Sequence, residues 1–97
     1  MKPVKRIEII IDESHADHVL RLLDAAQVTG YTVIRDVTGK GDRGVRGGDG
    51  LTDVFDNCCI LIACEPTVVQ TILPPLRDLL RDVGGMCLIG DAQWVIH

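Results

Sequence analysis

The order of the apolar segments constrains this chain more than any other feature. Strand-like and helix-like stretches follow one another as strand, helix, strand, then a long polar gap, then strand, helix, strand. Val4 to Asp12 is β-branched and alternating, which predicts a strand. Ser14, three residues before Asp17, resembles a capping box, and Ala16, Val19, Leu20, Leu23 and Ala26 recur at helical spacing. Gly30 supplies a stop, and Tyr31 to Val37 is the second strand. Cys58 to Cys64 is almost wholly apolar, so the third strand is central or buried on both faces. Glu65-Pro66-Thr67 opens a second helix with proline in its first turn, and Val68, Val69, Ile72, Leu73, Leu76, Leu79, Leu80 and Val83 form its apolar face. Pro74-Pro75 removes two backbone donors and predicts a kink or a split. Gly84-Gly85 ends the helix, Met86 to Ile89 is a fourth strand, and Gln93 to Ile96 is a short continuation or a fifth. This order is the split βαβ, ferredoxin-like pattern of the α+β class: βαββαβ, an antiparallel sheet with two helices on one face. The pattern alone does not fix a function.

Ninety-seven residues predict one domain over 1–97. With 46% hydrophobic and 25% charged residues the chain is globular and not disordered. A mean hydropathy of +0.22 is high for so small a chain and fits apolar surface covered by other subunits. No apolar run approaches the ~18 residues of a membrane span. Arg6, Glu8 and Asp12 interrupt any signal-peptide core, which predicts a cytoplasmic protein. A net charge of −4 argues against nucleic-acid binding, and three aromatics, Tyr31, Phe55 and Trp94, make no base-stacking platform. Tyr31 and Trp94 read as core or interface anchors. Cysteines 58, 59, 64 and 87 form no C-x-x-C pair and read as buried free thiols, with Cys58 and Cys59 on opposite faces of a strand. His15 and His18 lack a third ligand, so no metal site is assigned. No nucleophile triad is apparent, and the chain is not expected to be an enzyme.

The most informative stretch is the gap itself, Thr38 to Asn57. Six of the ten glycines lie between Gly39 and Gly50. Lys40, Arg43 and Arg46 stand three residues apart among them, in a protein that is otherwise acidic. Glycines let backbone N–H groups converge on an anion, arginine offers a planar fork, and lysine a point charge. That is phosphate chemistry, with Arg35 just upstream. Composition alone equally allows a solvated basic loop. The stretch is no Walker A loop. Although Gly39-Lys40-Gly41-Asp42-Arg43-Gly44 fits G-x-G-x-x-G, it opens no helix and so is not a dinucleotide fingerprint.

Gly30-Tyr31-Thr32-Val33 followed by Gly39-Lys40-Gly41-x-Arg43-x-Val45-Arg46 resembles the PII-like signalling family, and most closely its small branch tied to bicarbonate transport and carboxysomes. The resemblance spans nearly the whole chain. It implies a homotrimer binding adenine nucleotides, ADP, AMP or cyclic AMP, in clefts between subunits, sometimes with bicarbonate. The gap would be the family's T-loop (about 38–57), which reports the bound nucleotide to a partner such as a bicarbonate transporter or carboxysome protein. Carried over, Thr32 lies near the adenine or ribose. Gly39 and Gly41, with Lys40, Arg43 and Arg46, hold phosphates, and Gly84, Gly85 and Met86 take the place of a second nucleotide loop. Two departures bear on this. Gly44 to Asn57 has no tyrosine to be uridylylated, and Gly84-Gly85 has no neighbouring lysine for tight ATP and 2-oxoglutarate binding. A trimeric metal-binding protein of the same fold, using Cys58, Cys59, Cys64 or the histidines, is the alternative.

Overall fold

In the computed structural model residues 1–39 and 56–97 are described. Strand β1 spans Lys2–Asp12 and leads through a single 3-10 turn, Glu13–His15, into helix α1, Ala16–Ala25. Strand β2 is Thr32–Val37, β3 is Asn57–Cys64, helix α2 is Pro66–Val83 and β4 is Met86–Trp94. The sheet order is β2-β3-β1-β4 with every neighbouring pair antiparallel, the ferredoxin-like arrangement expected.

Alternation in β1 builds the core. Ile7, Ile9 and Ile11 are fully buried and sit opposite Ile62, Ile60 and Cys58 of β3. Val19 and Leu23 of α1 and Val69, Ile72, Leu76 and Leu79 of α2 close over them. Each such side chain contributes roughly 1.5–3 kcal/mol on burial. Strand β3 is central, as its sequence suggested, but one face only is covered: Ile60 and Ile62 are buried while Ala63 is exposed.

Four local expectations change. Asp12, and not Ser14, is the cap: its Oδ1 accepts from the Ser14 backbone N–H at 2.9 Å and from the Ser14 hydroxyl at 2.8 Å. The intervening 3-10 turn uses up the sequence that looked like a capping box. Helix α1 ends well before Gly30. Gln27 takes φ 62, its N–H donates to Asp24 O at 3.0 Å, and Val28 N–H donates to Leu23 O at 3.1 Å. Those are the two bonds of a Schellman stop, made without glycine. Helix α2 runs unbroken through Pro74 and Pro75. The carbonyls that lose their donors belong to Gln70 and Thr71, which are exposed and open to water, while Ile72 and Leu76 anchor the helix to the sheet on either side. Gln93 and Trp94 belong to β4 itself, so no fifth strand follows among the described residues.

Among the described residues nothing packs over the sheet face away from the helices, which is bare. In rows across it stand Met86, Ile10, Cys59 and Ile34, then Leu88, Glu8, Leu61 and Thr32, then Gly90, Arg6 and Ala63. Met86, Leu88, Ile34 and Trp94 are 43–53% exposed on it. Tyr31 is exposed as well. Neither aromatic anchors the core.

Candidate ligand site at one end of the sheet

The register brings the last residues of β1 and β2 and the first of β3 and β4 to one end of the sheet. Asp12 and Val37 both pair with Asn57, and Ile10 pairs with Met86. The two feet of the long connection therefore stand at the end where Gly84-Gly85 turns helix α2 into β4.

The feet are shaped by strained backbone. Between Ile34, opposite Cys59, and Val37, opposite Asn57, β2 carries one residue more than β3, a bulge in which Asp36 takes φ 58. Asp56, at the other foot, takes φ 63. Aspartate tolerates this region better than most residues. Glu13 reaches both feet. Its backbone N–H donates to Asp56 O at 2.6 Å, and its carboxylate accepts from Arg35 Nη1 at 2.6 Å. The bond from Arg35 to Glu13, and then the charge of Glu13, push the guanidinium pKa further up. Arg35 is thus engaged, and not simply a spare cation beside the loop.

The glycine turn has a structural reason of its own. Gly84 N–H caps Leu80 O at 2.8 Å with φ 82. At Gly85, φ 116, an added Cβ would stand 2.8 Å from Ile10 O and 3.0 Å from Leu80 Cδ2. Gly39 differs: an added Cβ meets nothing within 4 Å. Thr32 and Met86 are exposed on the bare face, at opposite edges of the sheet. Three strand spacings, roughly 14 Å, separate the β2 and β4 edges. A single chain therefore places Thr32 and Gly39 at one edge and Gly84, Gly85 and Met86 at the other, without joining them. Lys40, Gly41, Arg43 and Arg46 lie outside the described residues.

Other chemistry is sparse. Cys58 is buried on the helix side and Cys59 half-buried on the bare side, so the two do face opposite ways. Burial pushes the thiol pKa of all four cysteines up, which keeps them protonated at neutral pH. Among the described residues no three His, Cys, Asp or Glu side chains gather to hold a metal. An open groove of about 450 Å³ runs between α1 and α2, past His18, Arg21, Thr71 and Pro75. Among the described residues no helix is long and apolar enough to cross a membrane. Sequence reading did not find the role of Glu13. The only signal is an acid directly after a strand.

These features define a ferredoxin-like module whose long connection springs from a reinforced base. The family model for nitrogen regulatory protein P-II matches residues 4–96, and the chain belongs to that family. Solved structures agree. The chain is 26% identical to CPII, a nitrogen regulatory PII-like protein from Thiomonas intermedia K12 bound to ADP, AMP and bicarbonate, covering 98% of this chain and 96% of that one at a TM-score of 0.84. A second CPII structure, bound to ADP and bicarbonate, is 30% identical over 95% of this chain and 88% of its own, with a TM-score of 0.81. The GlnK–ATP complex of B. subtilis, 15% identical over 94% and 84% of the two chains at a TM-score of 0.67, shares the fold. No curated protein matches the chain. It is a PII-like regulatory protein.

Proposed function

We propose that this protein is a single-domain, homotrimeric sensor of adenine nucleotides. It binds ADP or AMP in clefts between subunits, with bicarbonate as a candidate second ligand near the loop. Through residues 38–57 it regulates inorganic-carbon uptake or carboxysome function, without catalysis of its own. The observation that carries this reading is the near full-length likeness to CPII, which was solved with ADP, AMP and bicarbonate. Three physical points support it. The bare apolar face asks to be covered, and other copies of the chain can cover it. The described members of the nucleotide set stand on opposite edges of one sheet, an arrangement suited to a cleft that a neighbour completes. Among the described residues, the strand ends and feet at that end carry Asp12, Glu13, Asp36 and Asp56 against Arg35 alone. Phosphate binding there falls to Lys40, Arg43 and Arg46. The number of phosphates on the nucleotide then decides how many of these cations are satisfied, and so which partner surface the loop presents.

Titration calorimetry with ADP, AMP, cyclic AMP and ATP, each with and without bicarbonate, tests the reading. Saturable binding of at least one nucleotide is expected. Arg43→Ala and Arg46→Ala should each weaken it by about 1–3 kcal/mol, the range for charge-assisted hydrogen bonds. No heat at millimolar nucleotide rejects the sensor. Unchanged affinity in both variants rejects the assignment of the cations.

A further inference from the structure

The bare sheet face carries one feature that its apolar surroundings do not explain. Arg6 and Glu8, two residues apart on β1, both point to it, and Arg6 Nη2 donates to Glu8 Oε1 at 2.7 Å. The pair stands on one of the two inner strands of the sheet, among Leu61, Leu88, Ile10 and Val4. Arg6 is flanked by Ala63 on β3 and Gly90 on β4, both small residues. An added Cβ at Gly90 meets nothing within 4 Å, so packing among the described residues does not require glycine there. A glycine inside a strand, with nothing above it, marks a place where something outside the chain comes close.

Resting on the trimer proposed above, we infer that Arg6 and Glu8 form a ring of alternating charges between copies of this chain, which fixes how the sheets dock. A guanidinium has five N–H donors and a carboxylate about four acceptor positions, and the bond within the chain uses one of each. The remaining donors of Arg6 reach the Glu8 carboxylate of the next copy through the space above Ala63 and Gly90. The face carries both signs and no net charge, so a second copy is its natural complement. An acidic or basic partner would leave one of the two groups unpaired. Apolar rows supply the attraction, and the ion pair selects one docking register, since any slip leaves two charges buried without partners. Polar groups in an otherwise apolar interface set register and copy number in just this way in coiled coils.

Charge reversal tests the ring. Arg6→Glu alone and Glu8→Arg alone place like charges side by side and should raise the concentration for half-dissociation at least ten-fold by sedimentation velocity. The double variant, Arg6→Glu with Glu8→Arg, should assemble like wild type. The decisive step mixes an isotope-labelled double variant with wild type and reads the exchange by native mass spectrometry. A ring between copies makes every mixed interface repulsive, so the two chains sort into separate assemblies. Free statistical mixing overturns the ring and confines the pair to its own chain, while leaving the trimer intact. Wild type that stays monomeric at tens of micromolar overturns the trimer and the ring together. Single variants that misfold are recognised by circular dichroism, and the mixing step still decides.

Discussion

At the scale of single residues, glycines that look alike in the sequence do different work. Gly85 is held at φ 116 with Ile10 O and Leu80 Cδ2 where a Cβ would go, so Gly85→Ala should lose about 2 kcal/mol or more in urea denaturation. Gly39 has open space among the described residues, and Gly39→Ala should leave stability within about 0.5 kcal/mol of wild type. If Gly39→Ala nonetheless weakens ADP binding, its glycine serves a ligand that approaches the backbone. If Gly85→Ala is as stable as wild type, the strain account is wrong. Nothing in the sequence separates these two, because the Ile10 carbonyl that crowds Gly85 belongs to β1, distant in the chain. Gln27 and Asp36 make the same point. Gln27 adopts positive φ at a helix end where the sequence offers Gly30 as the more obvious stop, and Asp36 does so inside a strand.

At the scale of elements, the strand–helix order was readable because each segment carries its own period, and β1 with its isoleucines at 7, 9 and 11 could hardly read as anything else. At Pro74-Pro75 the helix does not split, because packing on the sheet beneath outweighs local propensity. The helix is held by Val69, Ile72, Leu76 and Leu79, and the two prolines fall on its exposed side. They still remove hydrogen bonds. Pro74→Ala and Pro75→Ala should each raise stability by about 1–3 kcal/mol, seen as a higher Tm. A fall in Tm would show that the rings make contacts worth more than the bonds they remove.

At the scale of the whole molecule, one face of the sheet was legible and the other was not. The helix-facing core follows from period-two alternation, whereas Arg6 and Glu8 make the far side of β1 look solvent-facing. The hint lay in β4, where Met86, Leu88, Gly90, Ala92 and Trp94 leave the far side without a charge. Gly90→Val should keep the single-chain fold, since the site is open and valine suits a strand, yet hinder assembly by filling the space beside Arg6. Circular dichroism should be unchanged while sedimentation shifts toward monomer; an unshifted profile would place the close approach elsewhere. Glu13 braces the base of the long connection. Its contacts to Arg35 and Asp56 tie the two feet together without calling on residues 40–55, so the scaffold works as a socket that can hold grafts of differing length and sequence. Doubling such a graft costs only about 0.6 kcal/mol of closure entropy.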